Sequence, residues 1–171
     1  MSAPNKDLGP CSVLWDLALA NVELNPTFGG VKFKDDLSTA PVKEDGHGET
    51  PVSAVTIGRI TEITVPMTRS SLTQLEKAIH GSVKGATNLK VSNDVGTDLF
   101  PLSKEVILKP LVNNVPSVTT TEWLHIHRCY PIAHLEWVYD NAGQRVTNVV
   151  FQVFPDDTSG QVGEHWRMGP A

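Results

Sequence analysis

The sequence predicts a mainly β protein: a β-sandwich or partial barrel with one flanking α-helix and a long extended loop. Three observations carry that expectation. Twelve Pro and thirteen Gly divide the chain into short strand-like runs. Only Ser71 to Gly81 has apolar residues at helical spacing. Ser38 to Pro51, 14 residues without apolar periodicity, is long for a connection inside a compact domain.

The elements follow in order. Cys11 to Asp16 reads as a first strand. From Gly29 to Leu37 the pattern alternates, with Val31, Phe33 and Leu37 on one side and Lys32, Lys34 and Asp36 on the other. The loop from Ser38 to Pro51 carries Lys43, Glu44, Asp45, His47 and Glu49, spaced by Gly46 and Gly48. Such a segment cannot bury itself, so it is either disordered or ordered by something outside the subunit. Ser53 to Pro66 is a long strand with Ile63 and Val65 on one face. Its alternation slips near Gly58-Arg59-Ile60, as at a bulge. Arg59 has two readings there, an intersubunit ion pair or an outward, solvated charge.

The helix has local start and stop signals. Ser71 with Gln74 forms a capping box, Leu72, Leu75 and Ile79 make an apolar stripe, Lys77 and His80 sit in the last turn, and Gly81 fits the C′ position. Ser82 to Asp98 is polar and reads as loop. Lys104 to Lys109 is a short strand ended by Pro110, and Asn113 to Thr120 a loop. Thr121 to Tyr130 is a strand and Ile132 to Tyr139 another. A turn at Asp140-Asn141-Ala142-Gly143 joins the latter to Arg145–Phe154 as a hairpin. Leu135, Trp137 and Tyr139 on one arm and Val149, Phe151 and Val153 on the other share the core. Beyond Pro155 the chain turns polar, with Trp166 its largest apolar residue, and a loose tail or a tail docked on a neighbour is expected.

Composition bounds the function. The 171 residues suffice for one domain with a sizeable core, and 40% hydrophobic with 19% charged residues is ordinary for a soluble globular protein. No apolar run approaches the ~18 residues of a membrane span. The opening MSAPNKDLGP lacks a basic cluster before an apolar core, so no signal peptide and a cytoplasmic site of synthesis are expected. Net charge is −5 with only 14 scattered Lys and Arg, which argues against tight nucleic-acid binding. Cys11 and Cys129 lie far apart and read as small buried hydrophobes; no framework spacing supports a disulfide.

Catalytic signals are sparse. His125, His127 and Cys129 alternate on a strand, so three potential metal donors line one face. Spread over about 13 Å, they cannot all reach one ion, which leaves His125 and His127 as weak candidates and a row of half-buried residues headed by Trp123 as the simpler reading. No nucleophile elbow, phosphate-binding loop or His-Glu-x-x-His occurs. Asp35-Asp36 and Asp156-Asp157 point to opposite faces and read as solvated. His47, His80, His134 and His165 have no sequence-visible partner, and Trp15, Trp123, Trp137 and Trp166 read as core or interface residues.

Five segments in order carry a family likeness: Leu8-Gly9-Pro10-Cys11; Gly29–Phe33 leading to Ser38–Val42; Gly46–Val52 running into Ile57-Gly58-Arg59; Ile63–Met67 before the helix Leu72–His80; and Val149–Asp156. On these the chain resembles the major tail tube proteins of bacteriophages with long, non-contractile tails, a fold shared with type VI secretion tubes. The stretch Ser82–Asp98 and the His/Cys row lie outside the likeness. The resemblance implies one tail tube domain over 1–171, with an N-terminal arm at 1–10, an inter-subunit loop at 38–51 and a tail at 155–171. It implies a virion structural protein, not an enzyme and without cofactor, that is assembled in the host cytoplasm. Its hexameric rings stack into a tube conducting DNA without holding it. The implied partners are copies of itself and the tape measure, tail terminator and tail tip proteins, with no membrane. Lys43, Glu44, Asp45, His47, Glu49 and Arg59 are then the candidate contacts between subunits or rings, and Leu72, Leu75 and Ile79 the helix packing residues. Three features of the residues agree: strand edges that need cover, a charged extended loop, and an acidic balance that would repel phosphate. The alternatives are another phage neck or tail assembly protein, a secretion-tube subunit, and a metal-dependent enzyme using His125 and His127.

Overall fold

The computed structural model describes residues 10–15, 22–24, 30–68, 71–93, 95–133, 146–158 and 162–170. Its strands are β1 (Cys11–Trp15), β2 (Val22–Glu23), β3 (Lys32–Lys43), β4 (Pro51–Met67), β5 (Ser82–Lys84), β6 (Leu89–Val91), β7 (Lys104–Val112), β8 (Val115–Pro116), β9 (Leu124–Ala133), β10 (Thr147–Phe154) and β11 (Trp166–Met168). One helix, α1 (Leu72–Ala78), follows β4. The main sheet runs β2-β1-β7-β9-β10-β4-β3, antiparallel throughout, and curls into a half-barrel. β8 extends it beside β7 and β11 beside β9, while β5 and β6 form a separate hairpin. No helix among the described residues is long and apolar enough to cross a membrane.

The core forms where alternation is cleanest. In β10, Val149, Phe151 and Val153 point inward while Asn148 and Gln152 face solvent. Opposite them, Ile63, Val65 and Met67 of β4 close the same face. Val13 and Trp15 of β1, Leu24, and Val106 and Leu108 of β7 complete the cluster. The expected first arm of the β10 hairpin, with Leu135, Trp137, Tyr139 and the turn after them, lies outside the described residues. The part of that arm that is described, Ile132–Ala133, continues β9 without a break and pairs with Val149–Val150.

The helix matches its start signals and ends earlier than expected, at Ala78 with Ile79 as C-cap, so that His80 lies beyond the last turn. Ser71 Oγ accepts from Gln74 N–H at 3.2 Å, and the Gln74 side chain returns a bond to Ser71 N–H at 3.1 Å. Gly81, at φ 68°, is left-handed as expected but stands one place beyond the C′ position. Leu75 and Ala78 are buried, whereas Leu72 and Ile79 are half-buried. Leu75→Asp is expected to destabilise the subunit by about 3 kcal/mol or more, because it removes a buried leucine and buries a charge. A melting temperature unchanged from the parent would contradict this.

Four expectations are corrected. Ser82–Asp98 is not all loop: Ser82, Val83 and Lys84 pair with Val91, Lys90 and Leu89. Pro110 does not end its strand. Its carbonyl accepts Ser117 N–H at 2.8 Å and Leu111 N–H resumes the ladder on Pro10 O at 2.8 Å, so the missing N–H costs one bond and not the strand. Asn113 and Asn114, both at positive φ, then make the two-residue turn to β8. The segment after Pro155 is not loose: β11 pairs with β9 from Trp166↔Ile126 to Met168↔Leu124, and Trp166 meets Phe33 edge-on at 5.6 Å. Asp156 and Asp35 are not solvated. Asp156 is buried and accepts from Thr158 and Arg128; burial alone would raise its pKa, but these bonds hold it below the ordinary carboxylate value. Asp157 and Asp36, their sequence neighbours, are exposed.

Candidate assembly surface: an unpaired β-arm

Half of the expected long loop is strand. β3 continues through Lys43 and β4 begins at Pro51, so the connection proper is only residues 44–50, with a single tight turn at Asp45–His47. Residues 38–60 form the distal part of a two-stranded ribbon. Its chain pairs from Lys32↔Thr64 at the base to Lys43↔Pro51 near the tip. The loop reading failed because strand pairing, not burial, holds this segment; alternation marks a strand only where one face is buried.

The ribbon leaves the body at Thr61, which is 1% exposed. All ten residues from Pro51 to Ile60 are exposed. At ~3.3 Å per residue they extend about 33 Å. β10 covers the second edge of β4 only over Glu62–Met67, and β3 is the last strand of the sheet. Beyond its base the arm therefore has both edges and both faces unpartnered among the described residues.

Its surface chemistry is unusual for a free ribbon. Leu37, Val42, Val52, Val55, Ile57 and Ile60 are all exposed, Ile57 at 69% and Ile60 at 57%. Residues 50–58 contain no charge. Soluble proteins guard long edges with charge, proline, bulges or short strands; between Thr50 and Gly58 this arm has Pro51 and two register slips but no charge. The ladder slips between Ser38 and Thr39 and between Val42 and Lys43, and each slip leaves one β4 residue unpaired, Ile57 and Val52 respectively. The first slip matches the irregularity expected at Gly58-Arg59-Ile60. Leu37, expected on the Phe33 side, does lie there by pleat, but it is 52% exposed because the body ends before it.

The charged candidates separate into two places. Lys43, Glu44, Asp45, His47 and Glu49 gather at the tip, where Lys43 pairs with Glu49 and His47 lies 3.7 Å from Glu44. Arg59 sits at the base, paired with Asp35 of its own chain at 3.0 Å. Asp35 also accepts from Thr61 Oγ1 at 2.7 Å. Sequence reasoning missed Asp35, Thr61 and the apolar series on the arm. The signal available was the uncharged run from Thr50 to Gly58.

The His/Cys row does not form a donor set. The β7–β9 register slips between Lys104 and Val106, so Ile126 and Cys129 both reach the core although they are three residues apart. His125 and His127 stay on the other face with Trp123. His125 Nδ1 donates to Glu105 Oε1 at 2.8 Å, while His127 Nε2 lies 3.2 Å from Glu164 Oε2 without hydrogen-bond alignment. Burial, with a smaller effect from Glu105, pushes the Cys129 thiol well above its ordinary pKa, and it donates to Lys104 O at 3.1 Å. A thiol held protonated is a poor metal ligand. Among the described residues no group of three or more His, Cys, Asp or Glu is placed to hold an ion.

Of the remaining histidines, His80 bonds the Tyr130 hydroxyl and His165 faces Thr61, while His134 lies outside the described residues. Trp15 is buried against Phe151, and Trp123 carries Lys109 Nζ 3.6 Å above its ring; Trp137 is not described. Searches with the chain found no matching protein-family model and no matching curated protein.

Proposed function

We propose that this protein is a structural subunit that assembles with copies of itself, and that the assembly is the tail tube of a bacteriophage with a long, non-contractile tail. The observation that carries the reading is the arm: a ribbon of about 33 Å with six exposed aliphatic side chains and two open edges. Such a surface is a liability in a monomer and a contact in an assembly. Each aliphatic side chain that becomes fully buried contributes about 1.5–3 kcal/mol. The half-barrel supports the same reading, because a curled sheet ending in a twelve-residue edge strand can be continued by a neighbouring copy.

The finer identity rests on the order of segments that resemble tail tube proteins. On that basis the rings are hexameric and stacked, the location is the virion tail, the partners are the tape measure, terminator and tip proteins, and DNA passes without tight binding. The chain performs no catalysis in this reading. Deleting Lys43–Glu49 is expected to leave the subunit folded and to prevent ring stacking, since it removes the arm's charged tip and spares the core. Negative-stain micrographs of the purified protein should show hollow tubes for the parent and none for the deletion. Long tubes formed by the deletion variant would count against the proposal.

A further inference from the structure

The C-terminal segment that carries β11 does more than extend the sheet. It lies across the place where the arm leaves the body. Trp166 packs on Phe33 of β3. One residue earlier, His165 Nδ1 is 3.5 Å from Thr61 Oγ1, a long contact, and Thr61 in turn donates to Asp35. Arg59, Gly163, Glu164, His165 and Trp166 line an open cleft of about 220 Å³ at this junction. Of the residues that fix the arm's base, Arg59 and Thr61 are thus reached by one short segment, and Asp35 is bonded to both of them. We propose that residues 162–168 are a latch on the base of the arm, and that acid releases it by charging His165.

The charge inventory sets the direction. From β4, Arg59 faces the cleft as a permanent cation; from β3, Asp35 is an anion that acts on His165 and already accepts from both Arg59 and Thr61. On the latch itself, Glu164 is occupied by Arg167, two bonds at 2.9 and 2.8 Å, and lies 3.2 Å from His127 of β9. A proton on His165 would therefore place a second cation beside Arg59 with no uncommitted carboxylate to receive it among the described residues. Burial first, and then Arg59, hold the His165 pKa below its ordinary value of 6.5, against an opposing pull from Asp35.

The sign follows from linkage. A histidine whose pKa is depressed in the latched state binds its proton more tightly once released. The latch is then fully favoured above the ordinary histidine range and weakens as pH falls through it. The latch belongs to the single chain. Only its consequence, acid-sensitive assembly, depends on the assembly proposal.

Hydrogen exchange on the dilute full chain at pH 7.5 and 5.5, corrected for the intrinsic pH dependence of amide exchange, tests this without any assembly. Exchange in 164–168 and at the arm's base should quicken at the lower pH, on the order of threefold. His165→Gln should abolish that acceleration, and His127→Gln should retain it. No acceleration in the parent, its persistence in His165→Gln, or its loss in His127→Gln would overturn the proposal.

Discussion

Replacing Ile57 and Ile60 together by aspartate should leave the subunit folded and abolish its self-association. Both side chains are more than half exposed and lie beyond the last buried residue of β4, Thr61. Their loss removes nothing from the core, so the cost to folding should stay within about 1 kcal/mol, the range of surface and strand-propensity changes. In an assembled contact the same substitutions would bury two unpaired carboxylates, at several kcal/mol. That corresponds to a loss of at least about 100-fold in association. Thermal melting together with sedimentation checks both halves. A double variant that melts like the parent and still assembles would remove the arm from the interface.

Phe151→Ala should have the largest effect on the subunit itself. Phe151 is fully buried in β10, a strand paired on both sides, and meets Trp15 edge-on at 5.8 Å. Truncation leaves a cavity between β4, β9 and β1 and removes that aromatic contact. The expected cost is about 3–5 kcal/mol, a large part of the ~5–15 kcal/mol typical of a domain. Urea unfolding gives the figure directly. A loss below about 1.5 kcal/mol would mean that the centre of the sheet is not where Val149, Phe151 and Val153 place it.

What was legible in the sequence was local. Ser71, Gln74 and Gly81 mark the helix because caps are satisfied by residues three or four positions away. Val149, Phe151 and Val153 mark a strand because one of its faces is buried along its whole length. The second limb of the arm was legible, since Ser53 to Pro66 reads as a long strand and lies within β4. The first limb was illegible for the converse reason: Ser38 to Val42 are not buried inside the subunit, so no period of two is imposed on them. The site was visible only as a long segment with no internal explanation. The slip near Gly58 was legible, but the one between β7 and β9 was hidden: it moves Cys129 away from the histidines and into the core, and β9's own sequence carries no trace of it. The docking of the C-terminal segment depends on Trp166 finding Phe33, a partner at the far end of the chain.

The unpaired arm speaks for self-association, and the proposed tail tube identity adds to it the order of the sequence segments. Both require that the arm be covered by another copy. Sedimentation velocity of the intact chain, from micromolar to the highest soluble concentration at neutral pH, examines that requirement most directly. The sedimentation boundary should move to large, discrete species as concentration rises. A single monomer boundary at every concentration would contradict it.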